Sequence, residues 1–135
     1  MPHVTSVLLI DDDPISNFLT ATVLKNSQAF SHIRVSSNGR EALDWLGPEQ
    51  QATGHYPDLI LLDLNMPNMN GFTFLKFFRQ LPGPASKSRI VVLSTSNYQE
   101  DIEYLKQFPE VEVFLQKPLT EESLQYILNR YFPVP

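Results

Sequence analysis

Five short segments of the chain have the apolar character of buried β-strands. Val7–Ile10, Asp58–Asp63 and Ile90–Ser94 each contain four consecutive apolar residues, a run too short for a helix. Such runs are typical of strands covered on both faces, as in a parallel sheet between layers of helices. Ile33–Ser36 and Val111–Leu115 are weaker segments of the same kind. The pattern therefore predicts five strands.

The segments between these strands have the spacing of amphipathic helices. The first helix is predicted to begin at Pro14, with Asp13 as its N-terminal cap, and to end near Asn26. Residues at spacings of three and four form its apolar face, namely Ile15, Phe18, Leu19, Thr22 and Val23. Similar stripes and breaker residues predict further helices over 39–46, 72–81, 100–108 and 124–131, and a polar surface loop over Gly47–Pro57.

The order of these elements is a strand followed by a helix, repeated along the whole chain. Such alternation predicts a doubly wound α/β fold, in which right-handed crossovers place helices on both faces of a parallel sheet. Ligands of these folds bind beyond the carboxyl ends of the strands. The residues that follow each predicted strand are therefore the candidates for chemistry.

Carboxylates dominate this edge of the predicted sheet. Asp11 and Asp12 follow the first strand, and Asp63 ends the third. Clustered carboxylates raise one another's pKa unless a cation compensates, and Mg²⁺ takes carboxylate oxygens while it keeps several waters. We therefore predict a Mg²⁺ site with Asp12 and Asp63 as direct ligands and with Asp11 orienting a water on the ion.

The same edge has the groups that phosphoryl transfer requires. An aspartate can act as a nucleophile in covalent catalysis, and Asp63 is the candidate because it ends the most buried strand and precedes a turn. A divalent cation, the ammonium of Lys117 and a hydroxyl from the segment 94–96 would neutralise the transferred oxygens. Asp13, by contrast, is interpreted as a helix cap.

Composition narrows the function without identifying it. The chain has 135 residues, 15 acidic against 10 basic ones, a formal net charge of −5 and no cysteine. We predict one domain without disulfides or a thiolate zinc site. Without a basic cluster, direct nucleic-acid binding is not expected. No apolar run approaches the roughly 20 residues of a membrane span and no signal peptide is apparent, so we expect a cytoplasmic protein.

Four blocks of the sequence resemble the signature motifs of two-component response-regulator receiver domains. The blocks lie at 7–13, 61–71, 91–96 and 116–118, and they contain the acidic pair, Asp63 with its loop, the hydroxyl cluster and Lys117. Their combination is far more specific than any single block, and it spans nearly the whole chain. The resemblance implies a flavodoxin-like (βα)5 fold with strand order 2-1-3-4-5, as in stand-alone chemotaxis regulators.

The resemblance also implies the chemistry of the acidic edge. Asp63 would accept a phosphoryl group from a sensor histidine kinase or a histidine phosphotransfer protein. The reaction would depend on Mg²⁺, with Mn²⁺ as a substitute. The implied metal ligands are Asp11, Asp12, Asp63 and the backbone carbonyl of Asn65.

By the same resemblance, Lys117 binds the phosphoryl group and Ser94 is the switch hydroxyl. Family members more often have threonine at the switch position, and a shift of one residue would place Thr95 there; the distance to Ile102 favours Ser94. Phe114, three residues before Lys117, matches the aromatic switch position of the family. The sequence leaves open whether the bond between Lys117 and its proline is cis.

Signalling is expected to proceed through protein contacts. The last predicted helix ends shortly before Pro135, so we expect a single receiver domain over 1–135 without an output domain. The resemblance implies that the phosphodonor docks on helix one. It also implies that a downstream protein, or a second copy in a homodimer, binds the face of helix four, strand five and helix five. Asn65 and Ser96 would tune a slow self-dephosphorylation, and the protein would not be an enzyme.

Two alternatives remain open. An aspartyl phosphatase of the haloacid-dehalogenase type would have a second aspartate two positions after the nucleophile, where this chain has Asn65. Turnover of a phosphomonoester would support it. A flavodoxin-like nucleotide or flavin binder would need a phosphate-binding loop after strand one, where three aspartates would repel phosphate. A flavin absorbance spectrum would support that function.

Overall fold

The structure, a computed structural model, describes residues 4–47, 56–66, 69–81, 88–95 and 99–133. Its strands are β1 (Val4–Ile10), β2 (Phe30–Ser36), β3 (Leu59–Leu62), β4 (Arg89–Ser94) and β5 (Val111–Gln116). They form one sheet in the order β2-β1-β3-β4-β5, and every neighbouring pair is parallel. The predicted sheet and its strand order are confirmed.

Five helices flank the strands within the described part of the chain. They are α1 (Pro14–Ser27), α2 (Gly39–Leu46), α3 (Gly71–Phe78), α4 (Gln99–Leu105) and α5 (Glu121–Tyr131). α1 and α5 pack on one face of the sheet, and α2, α3 and α4 pack on the other. The prediction of helices on both faces is confirmed. None of these helices is long and apolar enough to cross a lipid bilayer.

The central strand β3 explains why the sheet is covered on both faces. Ile60 and Leu62 pack beneath α2, α3 and α4, whereas Leu59 and Leu61 pack beneath α1 and α5, and all four are fully buried. Successive strand residues point to opposite faces. Each such side chain stabilises the fold by about 1.5–3 kcal/mol relative to exposure. β3 is therefore a firm base for the loop that follows it.

Three elements, β3, α3 and α4, are shorter than the pattern predicts. β3 begins at Leu59 instead of Asp58, whose carboxylate accepts a hydrogen bond from the Ser6 N–H (3.1 Å). α3 and α4 end at Phe78 and Leu105, before the predicted limits of 81 and 108. From Gln80 in the first case and Lys106 in the second, the N–H groups bond to carbonyls three residues earlier instead of four, which tightens each helix end.

Three elements begin three residues earlier than the apolar pattern predicts. β1 begins at Val4 and β2 at Phe30, and these two residues pair across the ladder. Backbone pairing needs no apolar side chains, so both strands extend beyond their apolar runs. α5 begins at Glu121, because Thr120 and Ser123 form a reciprocal capping box ahead of the apolar stripe.

α1 has the predicted position and cap, since Asp13 Oδ1 accepts a hydrogen bond from the Ile15 N–H (3.1 Å). Of its predicted apolar face, however, Val23 packs against the core while the residues of the first two turns do not. Ile15, Phe18 and Leu19 are 72%, 71% and 52% exposed, while Leu24 anchors the helix in the core. Hydrogen bonds from the first turn to the end of β1 hold the polar side against the sheet edge. We call the three exposed residues the α1 patch.

Candidate functional site

The register of β1 and β3 places two carboxylates side by side. Ile10 lies opposite Leu62, and the Asp63 N–H donates to the Ile10 carbonyl (3.0 Å). On the other side of β1, the Asp11 N–H donates to the Ser36 carbonyl (3.1 Å). Asp11 and Asp63 are only 2% and 5% exposed. Two of the predicted site residues therefore lie buried at the carboxyl edge of the sheet.

Asp12 completes an acidic cluster at this edge. One carboxylate oxygen from each of Asp11, Asp12 and Asp63 lies within 4.8 Å of the other two. Asp12 is the most accessible of the three, so the cluster opens to solvent on its side. The side chain of Asp13 caps α1 and is not part of this group. The structure thus brings together the three acids that the sequence assigns to a metal.

Lys117 supplies a cation to the acidic cluster. Its Nζ contacts Asp11 Oδ2 and lies 3.6 Å from Asp63 Oδ2. The Lys117 N–H donates to the Ser94 carbonyl (2.9 Å), and the peptide bond between Lys117 and Pro118 is cis. The lysine side chain is largely buried. Its attraction to the carboxylates is therefore screened less than at the protein surface.

Ser94 faces Asp63 from the end of β4. Its side chain is fully buried and hydrogen-bonds to the Asp63 carboxylate. Asn65 Nδ2 donates to Ser94 Oγ (3.3 Å), and the Asn65 N–H donates to Asp63 Oδ1 (3.4 Å). The next residue, Thr95, is exposed. The geometry therefore favours Ser94 over Thr95 as the hydroxyl beside the candidate phosphoacceptor.

Burial raises the pKa of Asp63 above its ordinary value. The ammonium of Lys117 opposes this rise, and the negative charge of Asp11 adds to it. Hydrogen bonds from the Asn65 N–H and from Ser94 lower the pKa by smaller amounts. The lysine therefore does not fully compensate for the burial of this carboxylate.

The donor set fits a hard divalent cation. Three carboxylates and one ammonium leave the pocket with two formal negative charges. Mg²⁺ prefers oxygen ligands of this kind, and the raised pKa of Asp63 is expected of a carboxylate in a pocket that lacks positive charge. Asp11, Asp12 and Asp63 are the residues that would hold the ion. A ligand role for the Asn65 carbonyl stays a prediction.

Two further residues predicted for the site are not part of this cluster: Phe114 lies apart from it, and Ser96 lies outside the described residues. Phe114 lies on β5 opposite Val92, is half-buried, and packs against the core beneath α2, α3 and α4. Ser96 and most of the predicted loop over Gly47–Pro57 lie outside the residues that the structure describes. The switch role of Phe114 and the tuning role of Ser96 stay predictions.

Gly71 sets the path of the loop after Asp63. It is the last residue of the block 61–71, and the sequence assigned it no role. Its N–H donates to the Leu64 carbonyl (3.0 Å). A Cβ at this position would lie 2.8 Å from the Asp63 carbonyl oxygen and 2.9 Å from Leu64 Cα, too close for either backbone atom. Glycine is therefore required for α3 to begin directly against the loop that holds Asp63.

A Gly71→Ala substitution is expected to lower the free energy of unfolding by about 1–3 kcal/mol, the typical cost of overpacking. Urea denaturation followed by circular dichroism measures this loss. Gly39→Ala is the control, because its methyl group would meet the flexible side chain of Met69, whose Sδ lies 2.9 Å away. An equal loss of stability in both variants would contradict the prediction.

Comparison with known proteins agrees with this geometry. The sequence matches the family model of the response regulator receiver domain over residues 7–129. A two-component response regulator from Cytophaga hutchinsonii has a similar crystal structure, with a TM-score of 0.87 and 34% identity, covering 95% of this chain and 96% of that one. The Mn²⁺-bound form of response regulator Rcp1 has a TM-score of 0.76 and 27% identity, covering 97% of this chain and 96% of that one.

A curated relative is the two-component response regulator ORR1 of Oryza sativa subsp. japonica. It is 28% identical over 128 residues, which are 93% of this chain and 54% of the relative. The chain spans about half the length of the curated relatives it matches first. The family model matches most of the chain, and the structure has this strand order and an acidic edge beside a lysine. The chain therefore belongs to the response regulator receiver domain family.

Proposed function

We propose that this receiver domain accepts a phosphoryl group on Asp63 from a histidine kinase or a histidine phosphotransfer protein, in a Mg²⁺-dependent reaction. One observation carries the proposal: Asp63 is a buried carboxylate whose Oδ2 lies 3.6 Å from Lys117 Nζ, within a cluster that also contains Asp11 and Asp12. Membership of a family of signalling phosphoacceptors supports it.

In the proposed reaction, a carboxylate oxygen of Asp63 forms a bond to phosphorus while the bond from phosphorus to the donor histidine nitrogen breaks. The electron pair of that bond stays on the nitrogen, and the donor histidine, which carries a proton on its other ring nitrogen, leaves as a neutral imidazole. A bound Mg²⁺ would supply much of the charge neutralisation that phosphoryl transfer requires. Lys117 would hold the phosphoryl oxygens, and the contact of its ammonium with Asp11 and its approach to Asp63 support this role.

Phosphorylation would change the hydrogen bonding of Ser94. Without the phosphoryl group, Ser94 bonds to Asp63 and accepts from Asn65 Nδ2 at 3.3 Å. The phosphoryl group carries about two negative charges in place of the one on the carboxylate, and its new acceptor oxygens attract the hydroxyl. We propose that Phe114 then turns inward beside β4, which changes the face formed by α4, β5 and α5. Asn65 and Ser96 would set the lifetime of the phosphoryl group.

The face formed by α4, β5 and α5 is the proposed site for a downstream protein or for a second copy of the chain. Tyr126 is half exposed there and shares a shallow pocket with Val113 and Leu115 of the edge strand. Aromatic residues are enriched at protein interfaces. We also propose a cytoplasmic location, and no turnover beyond slow loss of the phosphoryl group.

The phosphodonor is proposed to dock on the α1 patch. Ile15, Phe18 and Leu19 form an exposed apolar surface that begins a few residues after Asp12. Contiguous exposed apolar residues often mark a protein-binding surface. A partner seated on this surface would present its histidine at the open, Asp12 side of the acidic cluster.

A Phe18→Ser substitution is expected to slow transfer from a phosphorylated histidine phosphotransfer protein by about tenfold or more, as for a central aromatic contact. Uptake from acetyl phosphate should not change, because this small donor needs no docking surface. The two rates are measured as transfer of radiolabel from acetyl phosphate and from a phosphotransfer protein that phosphorylates the wild type. Phe77→Ser is the control, since Phe77 is an exposed phenylalanine on α3. Equal slowing with both donors would rule out docking on the α1 patch.

The two alternative functions receive no support from the site. The position where a phosphatase would have its acid–base aspartate is Asn65, and its side chain donates to Ser94. Clustered carboxylates occupy the end of β1, where a flavin or nucleotide binder would place phosphate.

Intact-mass spectrometry after incubation with acetyl phosphate tests the proposal. The protein should gain the mass of one phosphoryl group in Mg²⁺, and none when EDTA removes the ion. Equal uptake with and without the ion, or no uptake in Mg²⁺, would refute a Mg²⁺-dependent phosphoacceptor.

A further inference from the structure

Two side chains of the first turn of α1 bond to Asp11. Ser16 Oγ donates to Asp11 Oδ2 (2.9 Å), and Asn17 Nδ2 donates to the Asp11 carbonyl oxygen (2.9 Å). The Asp13 N–H donates to the other carboxylate oxygen, Oδ1 (3.0 Å). Lys117 Nζ contacts Oδ2. Side chain and backbone of Asp11 are therefore both held, and two of these bonds come from α1.

The bond from Ser16 orients the carboxylate. With Lys117 and Ser16 on Oδ2 and the Asp13 N–H on Oδ1, rotation of the Asp11 carboxylate would break at least one bond. Donors that fix a ligand's rotamer commonly raise metal affinity, because the free protein then loses less freedom when the ion binds. Ser16 thus acts on a residue that would hold the cation.

Asn17 is poorly explained by stability alone. Its Nδ2 bonds to Asp11, but its Oδ1 is buried without a hydrogen-bond partner among the described residues. A buried amide oxygen that lacks a partner costs stability and offsets the gain from the bond that its nitrogen makes. A residue retained for folding would be better satisfied, so its bond to Asp11 points to a role in the site.

We infer that Ser16 and Asn17 are positioning residues, which hold Asp11 in the orientation that binds the divalent cation. The inference rests on the proposed function, since it assigns these residues to the same Mg²⁺ site. Both lie between Ile15 and Phe18 of the α1 patch, on the opposite side of the same helical turn. The surface proposed for the phosphodonor and the acidic cluster are therefore joined through this turn.

Calorimetric Mg²⁺ titration of the full chain, paired with urea denaturation in EDTA, tests the inference. Ser16→Ala and Asn17→Ala should each weaken Mg²⁺ binding by about tenfold, as for residues that support a metal ligand. Ser16→Thr keeps a hydroxyl and should restore most of the affinity. The urea midpoint of Asn17→Ala should not fall, because the substitution also removes the unpartnered oxygen. Thr22→Ala is the control: among the residues that the structure describes, the exposed Thr22 hydroxyl bonds only to the Phe18 carbonyl of α1, so Mg²⁺ binding should be unchanged.

Wild-type Mg²⁺ affinity in both alanine variants would overturn the inference. So would a parallel fall in Mg²⁺ affinity and in urea midpoint for Asn17→Ala, together with no recovery in Ser16→Thr, because such a pattern indicates a structural role. Acetyl phosphate separates this inference from the proposed function. If the variants bind Mg²⁺ weakly but the wild type takes up no phosphoryl group, the positioning role stands and the phosphoacceptor role fails.

Discussion

An Asp63→Asn variant is expected to take up no phosphoryl group from acetyl phosphate, whereas the wild type gains one. The amide nitrogen and oxygen of asparagine are poor nucleophiles, and the variant also lacks one negative charge of the acidic cluster. Intact-mass spectrometry measures the uptake. Asp13→Asn is the matched control, because Asp13 is a neighbouring acid that caps α1 and asparagine is an equally good cap. Uptake by Asp63→Asn at the wild-type rate would exclude Asp63 as the phosphoacceptor.

The Asp63→Asn variant should also be more stable than the wild type at neutral pH when Mg²⁺ is absent. Because burial raises the pKa of Asp63, the folded protein binds this proton more tightly than the unfolded chain does. The stability of the wild type therefore falls as pH rises from the ordinary aspartate pKa, about 3.9, through the raised value. Asparagine removes this loss.

Melting temperatures in EDTA at pH 7 and at a pH below about 3.9 check this sign. Asp63→Asn should melt a few degrees above the wild type at pH 7, and the difference should shrink at the acidic pH. Mg²⁺ should stabilise the wild type more than the variant. A variant that is less stable than the wild type at pH 7 would contradict the raised pKa.

A Lys117→Met variant is expected to lose about 3–5 kcal/mol of unfolding free energy in EDTA. The substitution removes the cation that contacts Asp11 and leaves two buried carboxylates without it. Mg²⁺ should recover part of this loss, because the ion replaces the missing positive charge. Urea denaturation in EDTA and in Mg²⁺ measures both effects.

Lys106→Met is the matched control for Lys117→Met. Lys106 pairs with Glu103 on α4, but both side chains are more than half exposed. Solvent screens exposed pairs so strongly that they contribute little, and this variant should keep nearly all of its stability. If both lysine variants lose the same stability, burial of the Lys117 pair is not the cause.

The sequence predicts the carboxyl edge of the sheet better than any other part of the molecule. Four consecutive apolar residues in β3 require cover on both faces, and strand–helix alternation then places Asp11, Asp63 and Lys117 at one edge. Hydrogen bonding between strand ends is set by backbone register, so the approach of these side chains follows from the fold. The acidic cluster could therefore be predicted without coordinates.

Side-chain direction on α1 could not be predicted in the same way. Spacing identifies an apolar stripe but does not say which face packs on the sheet, and here Ile15 and Phe18 are exposed. The deciding contacts are hydrogen bonds from Ser16 and Asn17 to Asp11, which are ordinary polar residues in the sequence. Their importance depends on distances of about 3 Å that no periodicity encodes.

Close backbone approach is a second feature that the pattern does not reveal. In the sequence, Gly71 stands just before the predicted phenylalanine-rich helix, where it could be an ordinary turn residue. Only the structure shows that glycine is required there, because a Cβ would clash with the Asp63 carbonyl and Leu64 Cα. Helix ends at Phe78 and Leu105 likewise depend on a change to shorter-range backbone hydrogen bonds.

Borohydride trapping of the phosphorylated protein tests the central claim most directly. Hydride reduces an aspartyl phosphate with loss of phosphate and converts that residue to homoserine, which peptide mass spectrometry locates. Phosphorylation of Asp63 predicts homoserine at position 63 alone, formed after treatment with acetyl phosphate and Mg²⁺ and absent when EDTA replaces the ion. Homoserine at position 11 or 12, or no homoserine at any position of a protein that has gained a phosphoryl group, would contradict the assignment of Asp63.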